Sequence, residues 1–251
     1  MSVELTGKVA IVTGAAQGIG EATVRKLAER GAHVVGVDIE GDLLTKVMNS
    51  LDGKAIVQDV TDAEGDQRLI SDVHHDYGRI DILVNVAGGT IGAGRGIEGV
   101  TIEDWHRVVA LNMHAPFYLA KAVAPIMKAQ GWGRIVSVGS GAGRSHSRSK
   151  IVPYAAAKAG LHGLMRQLAV ELAPSGVNCN IVAPGLILSE RGREDWERRD
   201  PAQKEKELVT IAIDRLGAPE EVANVIAFVV SDESSYVVGQ TIMVDGGHWM
   251  F

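Results

Sequence analysis

The sequence predicts an α/β fold, a single-domain doubly wound parallel sheet of about seven strands with helices on both faces. Short apolar segments rich in β-branched residues alternate with helical patterns along the chain, which is typical of parallel strands joined by right-handed crossovers. The 251 residues include 30 glycines but only 4% aromatic residues, which suits glycine-turned α/β layers better than an all-β protein. No internal repeat or linker interrupts the pattern, so residues 1–251 are predicted to form one domain.

Seven segments have the short, mostly apolar character of strands buried on both faces of a sheet. In chain order they are Lys8–Thr13, His33–Asp38, Ala55–Gln58, Ile80–Val84, Gly133–Val138, Asn178–Ala183 and Thr241–Val244.

Helical patterns lie between the strands. The segment Thr101–Gln130 is predicted to form one long helix or two consecutive helices, with Pro116 and Pro125 as breaks or kinks. Residues 188–216 are polar and only weakly helical. The other helices are predicted at Glu21–Arg30, at Asp62–Tyr77, from Pro153 to about Leu172, and at Pro219–Val230.

Charge and cysteine usage exclude several classes of protein. The net charge of −6 argues against a nucleic-acid binder, which would need a basic surface. Cys179 is the only cysteine, so no internal disulfide can form and a reducing compartment is expected. Residues 1–8 lack the apolar region of a signal peptide, and no apolar run approaches the roughly 20 residues that span a bilayer. We therefore expect a cytoplasmic protein.

A glycine-rich turn directly follows the first predicted strand and opens the first helix. Glycines at this position let the backbone approach a pyrophosphate, and the helix N-terminus supplies N–H donors. The sequence therefore predicts a dinucleotide site; the alternative is a tight turn without a ligand. The turn residues singled out are Gly14, Gln17, Gly18, Ile19 and Gly20.

Asp38 ends the second predicted strand and indicates which dinucleotide binds. A carboxylate there can accept hydrogen bonds from the adenosine ribose and would repel a 2′-phosphate. No cation occupies the turn at Gln17 or follows the strand at Ile39 and Glu40. We therefore predict NAD rather than NADP as the cofactor. The alternative is that Asp38 only caps a helix or lies in a solvated loop.

Tyr154 and Lys158 are four residues apart in a predicted helix, with three alanines between them. That spacing places both side chains on one helix face. A tyrosine of pKa about 10 is a poor base at neutral pH, but a nearby cation lowers the pKa of a phenol. The pair can therefore act as a general acid/base. Alone it is weak evidence, because the same spacing occurs by chance on surface helices.

Several further polar or glycine-rich positions fall where predicted strands end. In a doubly wound sheet, ligands bind beyond the carboxyl ends of the strands. Gly14, Asp38, Asn85, Ser140 and Pro184 all lie at such ends. Asn112 lies inside an apolar stretch and must be hydrogen-bonded, either to backbone groups or within an active-site network.

In combination, these motifs resemble the short-chain dehydrogenase/reductase family over essentially the whole chain. The matching pieces are Thr13-Gly14 through Gly20, Asp59, Asn85 through Gly88, Asn112, Ser140, Tyr154, Lys158 and Pro184-Gly185. The resemblance implies a Rossmann-like fold, an NAD cofactor, a homotetramer and no metal. It also implies cofactor contacts from Asp59, Val60, Asn85, Ala87, Gly88, Tyr154, Lys158, Pro184, Gly185, Ile187 and Ser189, in addition to the glycine-rich turn and Asp38.

The resemblance also implies the catalytic roles. Tyr154 would be the acid/base, and Ser140 would hydrogen-bond the substrate oxygen. Lys158 would hold the nicotinamide ribose and lower the pKa of Tyr154, while Asn112 would order a water for proton relay.

Three positions and the length of one loop depart from the usual family pattern. Val86 replaces an Asn, Gly139 replaces a Ser, and Ser189 stands where a Thr is common. The gap between Ser140 and Tyr154 is one residue longer than usual, so a bulged loop is predicted there.

The predicted activity is hydride transfer between NAD(H) and a secondary alcohol or ketone. The segments Asn85–Ile91 and Val152–Lys158 look like those of dehydrogenases that rearomatise cyclic diol carboxylates. The alternatives are a 3-oxoacyl thioester reductase and, in another class, a non-catalytic dinucleotide-binding protein. A sugar-nucleotide epimerase is a third option, although the chain looks too short for its usual substrate domain.

Two further predictions concern the surface. Cationic side chains between Ser140 and Tyr154 and after Gly185 would attract an anionic substrate, unless they are only solvated loop charges or subunit contacts. They are Arg144, His146, Arg148, Lys150, Arg191 and Arg193. The apolar tail His248–Phe251 is predicted to lie in an oligomer interface; the alternative is that it folds onto its own subunit.

Overall fold

In a computed structural model of the chain, which describes residues 5–92, 94, 96–147 and 149–250, seven parallel strands form one sheet. The predicted α/β fold class is confirmed. The strands are β1 (Val9–Thr13), β2 (His33–Asp38), β3 (Lys54–Val57), β4 (Ile82–Asn85), β5 (Gly133–Val138), β6 (Val177–Pro184) and β7 (Thr241–Val244).

The strand order is β3-β2-β1-β4-β5-β6-β7. From β1 the chain moves outward through β2 to β3 and then returns to place β4 on the other side of β1. The loops that leave β1 and β4 therefore run to opposite sides of the sheet and open a crevice between them, where doubly wound sheets bind ligands.

The sheet is covered by apolar helix faces on both sides. Successive side chains of a strand point to opposite faces, so in β1 Val9 and Ile11 join one apolar cluster and Ala10 and Val12 join the other. The first cluster packs under α3 (Ala63–Tyr77), α5 (Ala115–Gln130) and α6 (Val152–Leu172). The second packs under α1 (Gly18–Glu29), α2 (Gly41–Asn49) and α9 (Pro219–Val229).

The sequence did not predict α2, because this nine-residue helix is short and begins without a side-chain cap in the described structure. Its buried face consists of Leu44, Val47 and Met48. These three residues can be recognised as a helix face only when they are packed against the sheet.

The segment from residue 102 to 130 forms α4 (Ile102–Val109), a π-helical turn (Ala110–His114) and α5. The expected break falls at the π turn, just before Pro116 in the first turn of α5. Pro125 does not end the helix, which continues to Gln130.

The weakly helical region after β6 contains α7 (Glu190–Arg198) and α8 (Pro201–Leu208). The side chains of Arg191 and Asp195 are outside the description. None of the helices in the described ranges is both long and apolar enough to cross a membrane.

Candidate active site

A cleft of about 610 Å³ opens at the carboxyl edge of the sheet, where the β1 and β4 loops diverge. Most of the predicted cofactor contacts line it: Gly14, Gln17, Gly18, Ile19, Gly20, Asp38, Asp59, Val60, Ala87, Gly88, Ile187 and Ser189. Five other predicted contacts do not line this cleft: Asn85, Tyr154, Lys158, Pro184 and Gly185.

The glycine-rich turn has the shape that a pyrophosphate requires. Gly14 and Gly18 have φ angles of 67° and 58°, which favour glycine. A Cβ on Gly14 would lie 2.9 Å from the backbone nitrogen of Ala87, and one on Gly20 would overlap the Gly14 carbonyl. Because α1 begins at Gly18 and the Gln17 side chain does not cap it within the described structure, its first N–H groups remain for a ligand.

Asp38 lines the cleft and also orders the turn. One carboxylate oxygen accepts a hydrogen bond from the Ala16 N–H at 3.0 Å, and the other accepts from the Glu40 N–H at 3.0 Å. These bonds give Asp38 a structural role in the turn, while its predicted contact with the ribose stays a prediction. Arg107, which sequence reasoning missed, lines the same cleft, and its guanidinium donates to Asp104 at 2.9 Å and to the Ile91 carbonyl at 3.1 Å.

Two polar side chains order the loops around the cleft. Asp59 accepts hydrogen bonds from the Thr61 N–H at 2.9 Å and from its hydroxyl at 2.8 Å. The Thr13 hydroxyl accepts from the N–H groups of Val86 and Ala87, each at 3.1 Å. No role was predicted for Thr13, although its position directly before Gly14 could have indicated that it lies beside the cleft.

Asn85 is buried with its side chain directed into the sheet. Its amide donates to the Ser137 hydroxyl at 3.1 Å, so the side chain is not presented to the cleft. The residues that follow it, Val86, Ala87 and Gly88, line the cleft.

Asn112 lies in the π turn and is fully buried. Its amide oxygen accepts from the Gly89 N–H at 3.1 Å, and its amide nitrogen donates to the carbonyls of Gly89 and Val108 at 2.9 and 2.8 Å. A Cβ on Gly88 would lie 2.9 Å from that oxygen and 3.3 Å from Lys158 Nζ. Asn112 therefore holds the loop after β4 beside Lys158, through backbone partners.

Ser140, Tyr154 and Lys158 come together at the end of β5. The Ser140 hydroxyl accepts from the Ala142 N–H at 3.2 Å and lies near enough to the Tyr154 phenol to influence its pKa. Lys158 Nζ donates to the Val138 carbonyl at 2.7 Å and lies 5.6 Å from the centre of the Tyr154 ring. Helix α6 thus brings the phenol and the amine to one end of the sheet.

The pKa of Tyr154 is shifted in the direction opposite to the one expected from its spacing from Lys158. Burial raises the pKa of Tyr154, and the nearby Ser140 hydroxyl offsets this only in part. Burial also lowers the pKa of Lys158 to about 8. The predicted lowering of the tyrosine pKa by Lys158 is therefore absent here: burial dominates the pKa of Tyr154, and the Lys158 amine bonds to the Val138 carbonyl.

Pro184 ends β6 and turns the chain toward the cleft. The Gly185 N–H donates to the Val244 carbonyl at 3.0 Å, and a Cβ on Gly185 would lie 2.7 Å from that of Asp245. The Ser189 hydroxyl caps α7 by accepting from the Gly192 N–H at 3.3 Å. Ile187 and Ser189, rather than Pro184 and Gly185, reach the cleft wall.

The predicted cationic rim is described only in part. Arg144, His146, Lys150 and Arg193 are exposed, whereas Arg148 and the Arg191 side chain lie outside the described residues.

The tail is described as far as Met250, and Phe251 lies outside the description. Trp249 packs on Gly141 of the same chain, and the predicted place of the tail in an oligomer interface stays a prediction.

The family described as enoyl-(acyl carrier protein) reductase matches residues 14–248. The chain belongs to the short-chain dehydrogenase/reductase family. A 3-oxoacyl-[acyl-carrier-protein] reductase of this family, FabG from Thermotoga maritima, is 41% identical over 250 residues, which cover 98% of this chain and 99% of the relative.

Two solved structures share the short-chain dehydrogenase/reductase fold closely. A candidate NAD(P)-dependent gluconate 5-dehydrogenase from Beutenbergia cavernae with bound NADP has a TM-score of 0.90 at 33% identity, covering 98% of each chain. A 7α-hydroxysteroid dehydrogenase in complex with NADH and a 7-oxo bile acid has a TM-score of 0.89 at 33% identity, covering 97% of this chain and 95% of that one. This chain is therefore an oxidoreductase of the family, and a nicotinamide dinucleotide is its cofactor.

Proposed function

We propose that the protein transfers a hydride between NAD(H) and a secondary alcohol or ketone, with Tyr154 as the acid/base. The observation that carries this proposal is the proximity of the Ser140 hydroxyl to the buried Tyr154 phenol, with Lys158 on the same helix face beside the dinucleotide cleft. A protein that only bound a dinucleotide would have no need of this arrangement.

The nicotinamide, when bound, supplies or accepts the hydride. In the proposed mechanism, the hydroxyls of Ser140 and Tyr154 hold the substrate oxygen between them. During ketone reduction, Tyr154 gives its phenolic proton to that oxygen, and during alcohol oxidation it takes the proton back. The raised pKa of the free phenol keeps that proton available at neutral pH. Lys158 supplies a buried positive charge below a pH of about 8, which stabilises the phenolate left by proton transfer.

Asp38 supports NAD rather than NADP as the preferred cofactor. Its carboxylate lines the cleft with Gln17, Ile39 and Glu40, none of which could offset the charge of a 2′-phosphate. The one cation among the residues known to line this cleft, Arg107, already bonds to Asp104 and to a carbonyl.

A 3-oxoacyl thioester reductase is the second candidate, and the identity to the Thermotoga maritima FabG favours it. The deciding experiment is a panel of cyclic secondary alcohols, hydroxy acids and 3-oxoacyl thioesters assayed with NAD(H) and NADP(H) at the NADH absorbance band. Highest kcat/KM for an acyl thioester would select the second candidate. Tight cofactor binding with no turnover in the panel would favour a non-catalytic dinucleotide-binding protein.

We further propose a homotetramer that consists of single-domain subunits in the cytoplasm. Large apolar side chains on α4, α5, α6 and α9 are exposed in the isolated chain, among them Trp105, Phe117, Val170 and Phe228. Such surface is costly in water and is typical of subunit contacts. A monomer mass by light scattering at micromolar concentration would contradict the tetramer. The single cysteine, buried at position 179, is consistent with a reducing compartment.

A further inference from the structure

Trp249, close to the end of the chain, lies against the loop that carries Ser140. A Cβ placed on Gly141 would overlap Cζ3 and Cε3 of the Trp249 ring and would lie 2.8 Å from Cη2. The six-membered part of the indole therefore covers the Cα of Gly141. Because consecutive Cα atoms are about 3.8 Å apart, the ring lies close to the residue that binds the substrate oxygen in the proposed function.

The tail is held in this position by several contacts. The Asp245 carboxylate accepts hydrogen bonds from the N–H groups of Gly247 and Trp249 at 3.1 and 2.9 Å. The Ile213 N–H donates to the Gly246 carbonyl at 3.2 Å, and His248 Nδ1 lies 3.0 Å from the Thr210 hydroxyl.

Glycine is required at the two bends of the tail. Gly246 and Gly247 have φ angles of 63° and 81°, which few other residues adopt. A Cβ on either would lie 2.8 Å from side chains of the segment 211–213. The position of the indole is therefore fixed by a turn that requires glycine at both bends.

The indole of Trp249 offers a flat apolar surface beside Gly141. Trp249 is only partly buried, and the six-membered part of its indole lies against Gly141. Gly141 is itself buried under the ring, and Ser140 next to it meets Tyr154. A flat aromatic surface favours a ring packed against it over a flexible chain, because ring–ring contacts add energy beyond buried area and a ring loses less rotational freedom.

We propose that Trp249 is a specificity-determining residue, which forms one wall of the substrate site and selects secondary alcohols and ketones that carry a ring next to the reacting carbon. This inference rests on the proposed function for the position of the substrate oxygen. It assigns to the tail a role within its own subunit that is separate from subunit assembly.

The test compares two secondary alcohols of equal carbon number, 1-phenylethanol and 2-octanol, oxidised with NAD. Trp249→Ala should lower kcat/KM for 1-phenylethanol about 10-fold, the size of an aromatic contact plus the apolar area lost, and lower that for 2-octanol less than about 3-fold. Trp249→Phe should retain most of the preference. Met250→Ala, a change at the exposed neighbour in the same tail, should leave it unaltered. Equal losses for both alcohols, or no loss, would overturn the proposal.

A binding measurement separates this proposal from the proposed activity. Acetophenone, added to the wild type without cofactor, should quench tryptophan fluorescence with a saturable component that is missing in Trp249→Phe. If the wild type turns over neither these alcohols nor any substrate of the panel but shows this component, the proposed activity fails and the ring-binding wall stands. If the component is identical in both proteins, the wall is wrong whatever the activity.

The contact itself is tested by a double-mutant cycle. Gly141→Ala inserts a methyl group where the indole lies, so it should weaken 1-phenylethanol oxidation and destabilise the protein. In the Trp249→Ala background the same change should cost much less, because the space is then free. Additive effects of the two substitutions would show that Trp249 does not cover Gly141 in solution.

Discussion

Asp66 on α3 should make the protein less stable as pH rises, and Asp66→Asn should remove that effect. The carboxyl group is fully buried, and neither oxygen has a hydrogen-bond partner in the described structure. Burial, followed by the charges of Asp62 and Asp59, raises its pKa from 3.8 to about 7. An acid whose pKa is raised on folding binds its proton more tightly in the folded state, so the folded protein has no penalty below pH 3.8 and accumulates one as pH rises to about 7.

The magnitude follows from the two pKa values. The penalty is about 1 kcal/mol at pH 4.5 and about 4 kcal/mol at pH 8, where it no longer grows. Asparagine has nearly the same shape as the protonated acid and does not titrate. The stability advantage of Asp66→Asn over the wild type should therefore increase by about 3 kcal/mol between these two pH values.

The assay is urea unfolding of both proteins at pH 4.5 and pH 8, at one protein concentration. Asp72→Asn on the same helix is the matched control, because Asp72 is exposed. Its effect on the free energy of unfolding should be small at both pH values. An advantage of Asp66→Asn that does not change with pH would refute the reasoning and would mean that the carboxylate is paired or hydrated in solution.

The other predictions concern the active site. Tyr154→Phe should lower kcat by about 100-fold or more, because it removes the proton donor, while NADH binding measured by fluorescence stays nearly unchanged; loss of NADH binding would instead mean a structural role. Lys158→Ala should impair both turnover and NADH binding, and normal binding by this variant would contradict its predicted ribose contact. Asp38→Ala should narrow the difference in kcat/KM between NAD and NADP, and a wild type that prefers NADP would show that Asp38 does not exclude the phosphate. Arg144→Ala and Lys150→Ala should raise KM for a hydroxy acid but not for its methyl ester, with a stronger salt effect on the acid; equal responses of acid and ester would rule out an anionic substrate.

The fold could be predicted from the sequence because its signals are local. Buried parallel strands are short apolar runs, and all seven strands in the described part of the chain lie within two residues of their predicted bounds at both ends. The glycine-rich turn could be predicted equally well, because few residues other than glycine adopt its backbone angles. In β1, the face of the sheet on which each side chain lies follows from the alternation of side chains along a strand.

Helices were predicted less well where tertiary packing decides their limits. The apolar face of α2 is too short to be distinctive until it packs against β2 and β3. In α5, Pro125 is tolerated because packing against the sheet fixes the helix on either side. The π turn at Ala110–His114, which carries Asn112 to Gly89, has no periodic signature in the sequence.

The sequence by itself determined which side chains are chemically capable: a phenol and an amine on one helix face, a carboxylate after β2, and glycines where a phosphate approaches. Only the tertiary structure decided how those groups are solvated and what lies against them. Burial, which depends on the whole fold, set the pKa of Tyr154 in the direction opposite to the one that its spacing from Lys158 predicted. The contact of Trp249 with Gly141 likewise joins two segments that are distant in the chain, because the loops after β5 and β7 leave the same edge of one sheet.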